Sequence, residues 1–332
     1  MNRMLRAVLF LCSLTALNVL PVLPAHAQVT HEINFGIIST ESSSNLKENW
    51  QPLIEDMQKR TGLKINAFFA PDYAGIIEAM RFNKVQVAWH GNKSAMEAVD
   101  RAGGEVFAQM IAPDGSQGYY SLLVTHKDNP LNTLDDVLKN GRSLNFGNGD
   151  PNSTSGFLVP AYYVFALNKI DAKTHFKSVR GASHETNLLA VINKQVDVAT
   201  NNTENLERFT TKFPDKARDV KIIWKSPLIP SDPLVWRKDL SPEIKKKIRD
   251  FVLSYGKGAD AARERAVMLK VTTAGFRASD DRQLLPIRQL ELFKDKVKLE
   301  NDTAMNVAER TAKLDEINRK LAQLNTQLAA AR

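Results

Sequence analysis

Short apolar runs alternate along this chain with longer amphipathic ones, and that alternation restricts the fold more than any other feature. Residues 33–39 (Ile-Asn-Phe-Gly-Ile-Ile-Ser) read as a buried strand that ends in a loop over 40–44. Residues 45–61 then place Trp50, Leu53, Ile54 and Met57 on one helical face. The pattern repeats as strand 63–69, helix 73–82, strand 85–89 and helix 93–101, which predicts an α/β lobe. A second set follows: strand 120–126, a helix over 133–138 capped by Asn132 or Thr133, strand 143–146, helix 154–167, helix 185–194 and strand 196–200. Two more strand-like runs, 221–224 and 234–236, lie among Pro227, Pro230 and Pro233, and a helix over 241–256 comes after them. A chain that leaves one lobe near 124, builds a second and returns near 226 crosses twice. Two crossings make a hinge, not a flexible tether. The expected organisation is one discontinuous lobe from 28–126 and 226–296, a second lobe from 127–225, and a helical tail over 297–332.

The first 27 residues read as a secretory signal. Arg3 and Arg6 supply the positive start, Ala7 to Val22 the apolar run, and Ala25-His26-Ala27 a small-x-small cleavage site. The run is short for a membrane anchor and is broken by Pro21 and Pro24. Cys12, the only cysteine, would leave with the signal, so the mature chain would have no thiol, disulfide or cysteine metal site. These features fit the periplasm or the outer surface. No later apolar run is long enough to span a bilayer, so the mature protein is expected to be soluble. The formal charge of +8 falls by two when Arg3 and Arg6 go. A modest basic surplus suits an anionic ligand. The basic residues are scattered and not interleaved with aromatics, which argues against nucleic acid.

In the tail, Leu314, Ile317, Leu321, Leu324 and Leu328 recur at spacings of three and four, and Val307 lies one heptad before Leu314. This is a coiled-coil stripe of about three heptads. It serves either self-association or a helix lying on its own domain.

The chemistry-bearing stretch is Gly147-Asn148-Gly149-Asp150-Pro151-Asn152-Ser153-Thr154-Ser155-Gly156, between a strand end and a helix. Ser153, Thr154 and Ser155 put three hydroxyls where a helix begins, and free N–H groups with a helix dipole make such a place an anion site. A single hydroxyl would suffice as an ordinary cap. The Lys of a nucleotide phosphate loop is absent. Tyr73, in Ala70-Pro71-Asp72-Tyr73-Ala74, falls in a helix's first turn at a strand-end edge, where α/β ligands bind. In Gly118-Tyr119-Tyr120, alternation sends the two rings to opposite faces, so at most one faces a cleft. His184 lies near a second helix N-terminus, where the two donors of an imidazolium could meet an anion. Glu204 follows an apolar strand and Asp232 sits in the second crossing. Two carboxylates at cleft positions suit a ligand that also carries a positive charge.

No nucleophile elbow, no H-E-x-x-H and no complete dinucleotide fingerprint occurs, and His31, His90, His126, His175 and His184 do not fall at metal-ligand spacing. The residues point to binding without catalysis, with no cofactor and no metal.

Several long segments resemble the phosphonate-binding periplasmic proteins of phosphonate ABC transporters. They are 34–42 (Asn-Phe-Gly-Ile-Ile-Ser-Thr-Glu-Ser), 68–77 (Phe-Phe-Ala-Pro-Asp-Tyr-Ala-Gly-Ile-Ile), 146–160, 187–205 and 225–230. The resemblance runs from about 33 to 293. It implies a two-lobed, hinged periplasmic binding protein fold of type II with a long C-terminal helix, and no catalysis. It carries the phosphonate-holding hydroxyls onto Ser153, Thr154 and Ser155, with Tyr73 and His184 beside the oxyanion. The acidic pair for the ligand's amino group falls on Glu204 and Asp232, and a cleft-wall aromatic on Tyr119. It implies an aminoalkylphosphonate such as 2-aminoethylphosphonate as ligand, an inner-membrane ABC permease as partner, and a homodimer through the terminal helices. One departure stands out: a tyrosine is expected after Trp89, and His90 is there. The alternatives are a binding protein of the same fold for phosphate, phosphite or a sulfonate, and, further off, an enzyme acting on a phosphorylated small molecule.

Overall fold

The computed structural model describes residues 32–330; the signal segment read over 1–27 lies outside them. In chain order the strands are β1 (Glu32–Ile37), β2 (Lys64–Phe69), β3 (Val87–Trp89), β4 (Gly104–Ile111), β5 (Gly118–Tyr119), β6 (Ser121–His126), β7 (Asn145–Asn148), β8 (Ser178–Gly181), β9 (Val198–Asn202), β10 (Val220–Lys225), β11 (Ile229–Pro230), β12 (Pro233–Arg237) and β13 (Gly275–Ala278). They form a six-stranded sheet in the order β13-β4-β12-β3-β1-β2 and a five-stranded sheet in the order β10-β6-β9-β7-β8. Each sheet is the floor of one lobe. Both are mixed: β1 runs parallel to β2 and β3, and β7 parallel to β8 and β9, while β12 and β6 run antiparallel to both of their neighbours.

The first lobe's core follows from the helical spacing in the sequence. Helix Ser43–Thr61 begins where the Ser42 side chain accepts from Asn45 N–H, and it ends at Gly62, which is left-handed at φ 69°. Leu46, Trp50, Leu53, Ile54 and Met57 face the sheet from it. The Trp50 ring lies 5.6 Å from that of Phe35 and 5.1 Å from that of Trp89. Truncating a fully buried ring like this to alanine costs about 3–5 kcal/mol, because the surroundings refill the space only in part. In the second lobe Phe146 stacks on Phe176 at 4.5 Å and meets Phe165 edge-on at 5.4 Å.

The two passages between the sheets pair with each other: β5 and β11 form a short antiparallel ladder, Tyr119 opposite Ile229 and Gly118 opposite Pro230. A third element also touches both lobes. Helix Leu285–Glu300 reaches the first through Arg288 to Asp100, and through Glu291 to Lys93 at 2.8 Å. It reaches the second through Phe293, whose ring lies 6.1 Å from that of Tyr162. The tail is not one helix: it breaks over 301–306 and resumes as Val307–Ala330, which packs back on Leu285–Glu300. Ile317 and Leu321 of the apolar stripe are buried, whereas Val307 is exposed.

Besides the two-residue β5 and β11, three strands do not show as periodic runs in the sequence. β4 is flanked in the sheet by β12 and β13, both more than a hundred residues later, and β8 and β13 are four-residue edge strands. Such strands exist because a partner ladder is already there. The helix read over 154–167 also differs. It forms two wide-turned segments, Thr154–Leu158 and Ala161–Ala166. Pro160 lies between them and has no N–H to give the Gly156 carbonyl; that carbonyl accepts instead from Gly149 N–H at 3.0 Å.

Candidate functional site

The Gly149–Gly156 bond closes the loop after β7 on itself. A Cβ on Gly149 would stand 2.5 Å from backbone atoms of Gly156, so no side chain fits there. The closure puts Ser153, Thr154 and Ser155 at the start of the wide-turned helix, where the first-turn N–H groups have no earlier carbonyl within the helix to bond. All three residues are almost fully buried.

Each hydroxyl already accepts one hydrogen bond. Ser153 Oγ accepts from Gly156 N–H at 3.0 Å, Thr154 Oγ1 from Lys93 N–H at 2.8 Å, and Ser155 Oγ from Asn202 Nδ2 at 3.0 Å. With that side occupied, each oxygen keeps its own proton to donate. His184 Nε2 lies 3.4 and 3.5 Å from the two serine hydroxyls and 3.2 Å from Asn202 Nδ2. The result is a cluster of oriented donors at the positive end of a helix, suited to an oxyanion.

The same lining carries two acids. Glu204 opens helix Thr203–Lys212 directly after β9, and Asp232 precedes β12. Trp89 Nε1 and the Tyr119 hydroxyl face the buried Asp232 carboxyl. Burial pushes the Glu204 carboxyl up to about 7, against the favourable charge of Arg208. Burial, followed by the charge on Glu204, holds Asp232 well above the usual carboxylate range. The two acids therefore resist carrying both charges at neutral pH. Arg208 does not relieve them fully, because it is paired with Glu41 of the first lobe.

These residues enclose a small space between the lobes, with about 270 Å³ free of atoms, of which about 10 Å³ admits the centre of a water-sized sphere. Its walls come from the carboxyl ends of strands in both sheets, the usual place for ligands in α/β folds. The lobes meet directly around it: Tyr73 N–H donates to Asp150 Oδ2 at 3.2 Å, Lys93 N–H to Thr154 Oγ1, and Ser42 N–H to Glu185 Oε2 at 2.7 Å. Gly91 also faces the second lobe across this space. A Cβ there would lie 3.3 Å from Thr154 Oγ1 and 3.9 Å from Asp232 Oδ1.

The structure brings all eight residues singled out from the sequence, Tyr73, Tyr119, Ser153, Thr154, Ser155, His184, Glu204 and Asp232, to the wall of this one cavity. Tyr119 is the ring that faces it, while Tyr120 turns away and carries Lys225 Nζ 3.6 Å from its centroid. One expectation changes. His184 is not an imidazolium here: burial, aided by Arg208, brings it down to about 3, so it is a neutral ring. His90 does not line the cavity; it is wholly buried with Nδ1 3.1 Å from Ser94 Oγ. Thr40, Trp89, Gly91, Asn202 and Arg208 also line the site and were not singled out. Arg208 had one readable signal, its position four residues after Glu204 on the same helical face. Among the described residues no cluster of three or more His, Cys, Asp or Glu side chains could hold a metal, and no helix is long and apolar enough to cross a membrane.

Comparison with known proteins places this geometry in context. Residues 35–284 match the family described as ABC transporter, phosphonate, periplasmic substrate-binding protein. The chain is 56% identical over 326 residues to the phosphonates-binding periplasmic protein of Escherichia coli strain K12, covering 98% of this chain and 95% of that one. Among solved structures it is similar to a binding protein component of an ABC phosphonate transporter from Pseudomonas aeruginosa, with a TM-score of 0.89 and 56% identity, over 91% of this chain and 99% of the other. A more distant protein from Prochlorococcus marinus, solved in complex with methylphosphonate, shares the fold at a TM-score of 0.70 and 20% identity, over 79% and 97% of the two chains.

Proposed function

This chain belongs to the family of periplasmic substrate-binding proteins of phosphonate ABC transporters, and we propose that it captures phosphonates bearing an ammonium group, such as 2-aminoethylphosphonate, for delivery to a membrane permease. It is a binding protein and not an enzyme, as its family is. The observation that carries the ligand reading is that one cavity holds both donors with filled acceptor sides and two crowded carboxylates.

In this reading the hydroxyls of Ser153, Thr154 and Ser155, the helix N-terminus and the Tyr73 hydroxyl receive the phosphonate oxygens. Neutral His184 orients the serine hydroxyls. Glu204 and Asp232, with Tyr119 beside them, receive the ammonium. Each charge-assisted hydrogen bond contributes about 1.5–3 kcal/mol, which must outweigh the cost of stripping water from a doubly charged ligand. Lobe closure completes both ends at once and excludes water, and the closed form is what the permease would recognise. Phosphate or a sulfonate would fill the donor end and leave the acids without a cation.

The same proposal includes export through cleavage after residue 27, and a homodimer through helix Val307–Ala330. The dimer is supported by the exposed Val307 and by Leu314, Leu324 and Leu328, which are only partly covered by this chain's own packing. Calorimetric titration with 2-aminoethylphosphonate, methylphosphonate, phosphate and a sulfonate tests the ligand reading. The aminophosphonate is expected to bind tightest, and phosphate binding as tightly would overturn it.

A further inference from the structure

A second and larger cavity lies outside the first. Its volume is about 320 Å³, against about 10 Å³ for the inner site. Its lining includes Asn45 and Glu48 from the first lobe and Glu207 and Lys212 from the second. Among the described residues, Arg208 alone lines both cavities. It is held there from the other side of the cleft: Nε bonds Glu41 Oε1, and Nη1 donates to Thr272 Oγ1 at 3.0 Å. Both partners of the ion pair are largely shielded, with side chains 15% and 9% exposed. Helical spacing puts Arg208 on the same face as Glu204, one turn further out. The acidic end of the inner site thus backs onto a guanidinium, and behind the guanidinium there is open space.

We propose that the Arg208–Glu41 pair is the wall that sets the ligand's chain length. It stops the aminoalkyl arm at Glu204 and Asp232, and removing its bulk lets a longer arm run into the outer cavity. This rests on the reading of the inner site given above. A wall differs from a simple latch. Loss of a latch weakens every ligand in proportion, whereas loss of a wall changes the ratio between long and short ligands. 2-Aminoethylphosphonate and 4-aminobutylphosphonate carry the same charges, but the longer arm brings its ammonium nearer position 208, so a variant that loses the Arg208 charge and keeps the bulk is needed to separate charge from size.

The experiment is calorimetric titration of both ligands into the wild type, into Arg208→Ala with Glu41→Ala, and into Arg208→Met with Glu41→Gln. The double alanine variant removes bulk without leaving a buried carboxylate unpaired. The Met/Gln variant keeps the bulk and breaks only the ion pair. With about 10- to 200-fold at stake for each misfitting methylene, the wild type should prefer the short ligand by about 100-fold or more. The double alanine variant should reduce that preference to below about 10-fold, and the Met/Gln variant should retain it. An unchanged ratio in the double alanine variant, or a wild type that binds both ligands equally, overturns the proposal. A wild type that binds neither phosphonate overturns the reading of the inner site as well. Should the double alanine variant fail to fold, Arg208→Ser with Glu41→Gln is measured on the same ratio, since it removes the arginine's bulk and leaves no unpaired carboxylate.

Discussion

Replacing Glu204 with Gln isolates the charge at the acidic end of the cavity. Gln keeps the side chain's length and one carbonyl acceptor, so the shape of the wall is retained and only the carboxylate is lost. A hydrogen bond between an ammonium and a carboxylate is worth about 1.5–3 kcal/mol, which corresponds to a loss of about 10- to 150-fold in affinity. The structure places the expected loss near the lower end. The charge on Glu204 is one of the causes that keep Asp232 from ionising, so removing it lets Asp232 hold a fuller negative charge and take over part of the ammonium's stabilisation. Methylphosphonate has no ammonium and should lose nothing, because Asp232 takes up the charge that Glu204 gives up and the field at its anion changes little. The assay is titration calorimetry of both ligands against wild type and Glu204→Gln at fixed pH and salt. A ten-fold or greater loss for 2-aminoethylphosphonate beside an unchanged methylphosphonate affinity is the expected pair of results. Equal losses for both ligands would refute the assignment of Glu204 to the ammonium and make it a structural acid.

Because burial holds Glu204 near about 7 and Asp232 also high, the pair retains a proton that an incoming ammonium must displace; the affinity ratio of 2-aminoethylphosphonate to methylphosphonate should rise between about pH 5.5 and 8, with proton release visible as a buffer-dependent heat. A flat ratio across that range would contradict it. Gly91→Ala places a methyl group 3.3 Å from Thr154 Oγ1 across the cleft; at about 1–3 kcal/mol for overpacking, it should weaken all phosphonates together while leaving the melting temperature of the ligand-free protein unchanged. Unaltered affinity would mean the lobes need not approach this closely. Deletion of residues 303–332 should convert a dimer into a monomer by light scattering, and a mass that tracks only the lost residues would remove the tail from the interface.

Much of the site was readable because its residues sit at junctions that local rules identify. The hydroxyl triplet, Tyr73, His184 and Glu204 each lie at a helix start or directly after a strand, and strand ends are where α/β folds hold ligands. Arg208, Trp89 and Thr40 were harder, since a mid-helix arginine, a strand tryptophan and a loop threonine each have ordinary structural uses. Nothing local marks them as neighbours of Asp232. His184 shows a different limit: its place at a helix N-terminus was legible, but its charge was not. Charge depends on burial, and burial depends on the second lobe's loops and on Arg208 closing around it.

The local chemistry of this protein was determined by sequence alone. Periodicity set the strand–helix order, the Gly-Asn-Gly-Asp-Pro turn set a helix start rich in donors, and the residues of the two crossings set the hinge. These follow from interactions within a few residues, which act in any context. Tertiary structure decided what depends on distance across the chain: the pairing of β4 with β12 and β13, and the folding of the tail back on its own helix. It also decided which residue separates the inner cavity from the outer one. A cavity is a property of surfaces brought together, and here the two surfaces come from lobes that no local pattern sets face to face.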